Sequence, residues 1–204
     1  KATDFDASNY FDLDAWAKFF ALSDLFGAYH GTVPKSAKLY YNPSNALFEP
    51  IIFDSHVGAG KFKYFILADF LNGDPGNCDW ICPYKEWYGL FLRNPDFIEK
   101  YYSWLNVYSS SIFLSSINDI INTKIEPINN AIYSEFSMSD KVFYKGMLPF
   151  YFNPLTIKVR AKLIRSKLKQ IELPVSNVNS EVFFDQTGCD LNGDSVKIAV
   201  NNLE

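Results

Sequence analysis

Residues 12–53 constrain this chain most, because their punctuation leaves few ways to fold them. Leu13, Trp16, Phe19, Phe20 and Phe26 recur at three- to four-residue steps, the period of one apolar helix face. Asp12 stands where an N-cap belongs and Gly27 where a C-terminal stop belongs, so the pattern predicts a helix over 12–27. Two strand-like runs follow, at 37–41 and 47–53. Between them Asn42-Pro43-Ser44-Asn45 is a turn by composition, which predicts a β-hairpin.

Downstream the pattern is mostly helical. Residues 61–71 are apolar and fit either a helix or a buried strand, and 72–83 read as a loop rich in Gly, Pro and Asn. A short helix is expected over 86–92. Asn94-Pro95 is an N-cap followed by proline at the first helical position, opening a helix to about Tyr108. Residues 112–136 continue helical, interrupted or kinked at Pro127. Asn153-Pro154 repeats the start signal before 155–171, and Pro174 is expected to end the helical half. Residues 181–185 and 195–200 have strand-like content, a terminal hairpin or the opening of another module. The fold class is therefore α+β, mostly helical with a small hairpin.

At 204 residues, with 48% hydrophobic and 18% aromatic content, the chain can bury a sizeable core. Its net charge of −4 provides no general field for nucleic acid, and no apolar run is long enough to span a membrane. Cys78, Cys82 and Cys189 are too few for a disulfide scaffold. Buried or free thiols, a Cys78–Cys82 or Cys82–Cys189 disulfide, and a zinc site all remain open.

The two histidines sit where backbone leaves regular elements: His30 after the first helix, His56 after the second strand. A hairpin brings its open ends together, so Lys35 and Ser36 should neighbour Asp54 and His56, with His30 at the same rim. Two imidazoles, a carboxylate and an ammonium converging at one edge is a site-like pattern.

On these residues the chain resembles the CotH kinase family, atypical protein kinase-like domains named for a spore coat protein. Ser23-Asp24-Leu25-Phe26-Gly27 matches the family's helix end and Leu39-Tyr40-Tyr41 its first strand, while Pro50-Ile51-Ile52-Phe53-Asp54 matches its second. Leu92-Arg93-Asn94-Pro95-Asp96-Phe97 is similar to a later helix start, and the basic helix before residue 172 to the family's closing helix. The resemblance covers roughly residues 10–172. It implies a protein-kinase-like C-terminal lobe over 1–173, with the hairpin at the active-site rim and 174–204 as a β-rich extension. Only nine residues precede residue 10, and they hold no glycine-rich loop, so the chain is expected to be a fragment lacking an N-terminal lobe.

The resemblance further implies ATP and Mg²⁺ as cofactors and a protein hydroxyl as phosphate acceptor. Asp54 would keep the metal-ligand role, a hard oxygen suited to Mg²⁺. His30 would occupy the acidic catalytic position, Ser36 the place of a usual asparagine, and His56 that of a second strand-end aspartate. Lys35 would contact phosphate. An imidazole can accept a proton near neutral pH but is a poor Mg²⁺ ligand. The alternative is a non-catalytic kinase-like binding module. An extracellular or cell-envelope location is likewise implied only by the resemblance.

Three further features have plainer readings. Lys158, Arg160, Lys162, Arg165, Lys167 and Lys169 read first as a solvated helix face, second as a surface for an anionic ligand. Trp80, Trp87, Trp104 and the many tyrosines read first as core, because aromatics recur at helical spacing over 86–108, and second as stacking surfaces for sugars. Asp190-x-Asn192-x-Asp194 is similar to the start of a calcium loop, but Ser195 stands where glycine is wanted.

Overall fold

A computed structural model describes residues 5–55, 64–72, 75–76, 78–135 and 154–175. The sequence punctuation is realised closely. Helix α1 spans Leu13–Phe26, and the Asp12 carboxylate accepts from the Ala15 N–H at 2.9 Å. Gly27 adopts φ 64°, a left-handed turn that costs glycine little. The Gly27 and Ala28 N–H groups then satisfy the last carbonyls of α1 at Asp24 and Ser23.

Strands β1 (Lys38–Asn42) and β2 (Leu47–Ile51) pair antiparallel, with Tyr40 opposite Glu49 and Tyr41 opposite Phe48. The turn is built as its residues dictate. The Asn42 side chain accepts from the Ser44 N–H and the Asn45 side chain from the Leu47 N–H, each at 3.0 Å. Strand β2 is fastened to the start of α1 by the Phe48 carbonyl, which accepts from the Asp12 N–H and from Trp16 Nε1.

The remaining helices are α2 (Lys85–Leu92), α3 (Pro95–Ser109), α4 (Ser111–Glu135) and α5 (Pro154–Val175). Asn94 caps α3 by accepting from the Phe97 N–H at 3.0 Å, with Pro95 at the first position as expected. Four sequence expectations are corrected. The segment read as helix or buried strand supplies a 3₁₀ turn, Leu67–Asn72, and the stretch read as loop supplies another, Asp79–Tyr84. Of the two readings at Pro127 the interruption is excluded, since α4 runs through it as one element, and α5 continues one residue past Pro174 to Val175. The expected strands at 181–185 and 195–200, and the calcium-like loop, lie outside the described residues.

Aromatic side chains make the core, the first of the two readings given to them. Trp16 is fully buried, stacked on Phe91 at 4.8 Å and edge-on to Phe20 at 5.5 Å. Phe97 and Tyr101 of α3 extend this cluster. By compactness the chain divides into Lys1–Leu168, which contains this core, and Lys169–Glu204. Of the second unit, only helical residues 169–175 are described. Among the described residues, no helix is long and apolar enough to cross a membrane.

Candidate functional site

The site forms where the chain emerges from α1 and where it leaves β2. The α1 helix is 14 residues long, about 21 Å at 1.5 Å per residue. The extended run from Phe48 to Asp54 reaches roughly 20 Å at 3.3 Å per residue. Strand β2 is tied at Phe48 to the start of α1, so Asp54 arrives beyond the other end of the helix, beside His30.

His30 opens a 3₁₀ turn, His30–Thr32, whose neighbours on both sides are anchored. Tyr29 is buried and donates its hydroxyl to Asp24 Oδ1 at 2.7 Å. Thr32 is buried as well. Its hydroxyl lies 2.8 Å from Tyr88 Oη, and its carbonyl accepts from Trp87 Nε1 at 2.8 Å. Between these anchors His30 Nδ1 lies 2.8 Å from Asp54 Oδ2, with the two side chains 25% and 42% exposed. The carboxylate lies within ion-pair distance of Nδ1 and so attracts the ring when it is protonated.

The approach of the two strands of chain is close enough to require glycine. A Cβ on Gly31 would lie 2.3 Å from the Phe53 carbonyl oxygen and 2.7 Å from Ser55 Oγ. Asp54 itself holds φ 51°, a left-handed conformation that aspartate tolerates better than most residues. A third element completes the rim. Trp80 lies in the turn Asp79–Tyr84, with its ring 5.6 Å from that of His30 and 5.9 Å from Lys35 Nζ. Lys38 Nζ lies 5.2 Å from the Phe53 ring on the strand side. Of the residues singled out in the sequence, His30 and Asp54 thus meet directly and Lys35 joins them through Trp80. Ser36 is buried in the turn before β1, its N–H given to the Val33 carbonyl at 2.9 Å. His56 lies outside the described residues.

Behind His30 a buried polar network braces the end of α1. Asp24 is completely buried and accepts from the hydroxyls of Tyr29 and Tyr101 and from the Leu67 N–H. Burial is the dominant influence on this carboxyl and raises its pKa from 3.8 to about 6, against its hydrogen bonds and the Arg160 charge. Arg160 of α5 is also buried. It donates to the Asp24 carbonyl oxygen through Nε at 2.9 Å and through Nη2, which also reaches Tyr29 Oη at 2.7 Å. Tyr29 and Tyr101 are pushed well above the ordinary tyrosine range, chiefly by burial.

These contacts correct the plainest reading of the basic helix. Arg160 is turned inward, and Lys167 lies 2.5 Å from Asp69 Oδ1. Lys158, Lys162, Arg165 and Lys169 are exposed. Cys78 and Cys82 form a disulfide with their Cα atoms 5.2 Å apart, one of the alternatives left open by the sequence. Cys189 lies outside the described residues. Trp80, read as core, does pack against the core while its ring also meets His30, and the partners of Asp24 and Arg160 were missed. The only signal for Asp24 was its place in the Ser23-Asp24 pair at the end of α1.

A mostly helical protein carrying a histidine–aspartate pair at a hairpin rim is the class this geometry defines. The CotH kinase protein family matches residues 3–160, more than half of the chain, and the chain belongs to that family. No curated protein and no solved structure matches it.

Proposed function

We propose that this chain carries the C-terminal lobe of an atypical protein kinase, transferring the ATP γ-phosphoryl group to a protein serine or threonine hydroxyl. Family membership supports the kinase-like reading. The observation that carries the site is the convergence of His30, Asp54 and Lys35 on one rim. Phosphoryl transfer asks mainly for positioning and charge neutralisation, and the rim offers the groups for both.

Among the described residues, no group of three histidine, cysteine, aspartate or glutamate side chains could enclose a metal ion. Mg²⁺ does not require one, since it is commonly held by one or two carboxylates together with substrate phosphates and water. Asp54 fits as the single protein oxygen ligand. When bound, the ion neutralises phosphate charge. Lys35, 5.9 Å from the Trp80 ring, would contact phosphate oxygens. His30 takes the acceptor hydroxyl's proton at Nε2, while Asp54 at Nδ1 stabilises the charged imidazole. Ser36 and His56 are proposed as further nucleotide contacts on the family pattern alone.

A second reading is a kinase-like binding module without catalysis. It is favoured by Asp54 already lying against His30, because a metal must compete with the imidazole for that carboxylate. The Cys78–Cys82 disulfide supports an extracellular or cell-envelope location, where such bonds persist.

A thermal-shift titration tests the reading. ATP with Mg²⁺ or Mn²⁺ should raise the melting temperature of the wild-type chain and leave Asp54→Ala unmoved. An equal shift in both proteins, or in neither, contradicts it. Phosphate incorporation into a serine-containing acceptor separates the enzyme from the binding module.

A further inference from the structure

The Cys78–Cys82 disulfide encloses Asp79, Trp80 and Ile81, and this short loop meets the candidate site through one side chain. Cys78 and Ile81 are buried in the core and fix the loop's inner side, while Trp80 is half-buried and faces His30 and Lys35. The backbone that aims Trp80 is unusual. Asp79, immediately before it, holds φ 45°, a left-handed conformation that aspartate tolerates better than most residues and that is less common than the right-handed one. The covalent link across residues 78–82 is the constraint nearest to hand.

We propose that Trp80 is a positioning residue of this site, and that the Cys78–Cys82 disulfide sets it in place. The indole lies against the imidazole, ring centroids 5.6 Å apart, so it limits rotation of the ring that also meets Asp54. Its π-face attracts the Lys35 ammonium and holds that cation near the rim instead of free in water. Reduction dismantles the arrangement. A dithiol delivers two electrons and two protons, Cys78 and Cys82 become two thiols, and the dithiol leaves as its own disulfide. The loop 79–81 then loses its covalent closure, and Trp80 turns away from His30 and Lys35. The ligand-binding half of this proposal rests on the phosphate-site reading above. The geometric half does not.

The two halves are tested together by NMR on the full chain, which holds two histidines. His30→Gln identifies the His30 imidazole signals. In the oxidised protein a nuclear Overhauser contact should join Trp80 to His30, and the His30 signal should carry a ring-current shift. Dithiothreitol, or the Cys78→Ser/Cys82→Ser variant, should abolish the contact and move the signal to its position in Trp80→Ala. Trp80→Phe should retain part of the shift. Mn²⁺–ATP affinity should fall roughly threefold or more in Trp80→Ala and on reduction, the scale of one lost cation–π contact, with Trp80→Phe restoring part of it. A His30 signal that ignores reduction overturns the proposal, as does a reduced protein that unfolds altogether, since the bond would then serve general stability. If the contact behaves as expected but no variant binds the nucleotide, the phosphate-site reading fails and the positioning of His30 by Trp80 stands.

Discussion

At the scale of single residues, Asp24 and Gly31 show how much of the rim depends on groups that never reach solvent. The folded-state pKa of Asp24, about 6, lies above its ordinary 3.8, so folded protein retains a proton that the unfolded chain has lost between those values. Its contribution is fully present below pH 4 and is lost as pH rises through 6, on the order of 3 kcal/mol. Asp24→Asn should therefore flatten the decline in unfolding free energy between pH 4 and 6, measured by urea titration at several pH values. An unchanged slope would assign it to other groups. Gly31→Ala places a methyl group against the Phe53 carbonyl, where backbone must give way. The expected cost is about 1–3 kcal/mol, together with loss of the His30–Asp54 contact, seen as a change in the His30 imidazole chemical shift. None of this was legible from spacing. Asp24 showed only as one of a polar pair at a helix end, and nothing local marks a residue whose partners lie at positions 67, 101 and 160 or whose α-carbon meets residue 53.

Among the elements, local signals and distant ones separate cleanly. Asp12, Gly27, Asn94 and Pro95 mark element ends because each acts on backbone within a few residues, and all four occupy the expected positions. The meeting of His30 with Asp54 was legible for a related reason: a hairpin's open ends must come together, so topology alone brings them to one edge. Helix α5 was misread at two of its six basic positions, since a run of Lys and Arg looks the same whether it faces water or a buried acceptor. Arg160 now links α5 to the C-terminal turn of α1, and Lys167 links it to Asp69 in the turn Leu67–Asn72. Arg160→Met should cost about 2–3 kcal/mol, because the buried Asp24 carbonyl loses a charged donor. It should also raise the Asp24 pKa further by removing a nearby positive charge. Chemical denaturation with a carboxyl infrared probe would measure both. Equal stability and an unmoved carboxyl band would place Arg160 outside the brace.

Over the whole molecule, the chain is a mostly helical member of the CotH kinase family whose aromatic core holds α1 so that its end and the end of β2 meet. Stability and site are therefore built from the same contacts. Phe48 ties β2 to the start of α1, and His30 with Asp54 closes the far end. The central claim is that this far end receives nucleotide phosphates through a metal held by Asp54. It is tested most directly by adding Mn²⁺–ATP to the full chain and observing the His30 imidazole resonance, assigned with His30→Gln. The paramagnetic ion should broaden that resonance at substoichiometric nucleotide in the wild-type protein and leave it sharp in Asp54→Ala. A resonance that stays sharp in the wild type while nucleotide binds, or that broadens equally in Asp54→Ala, would put the nucleotide elsewhere and contradict the account.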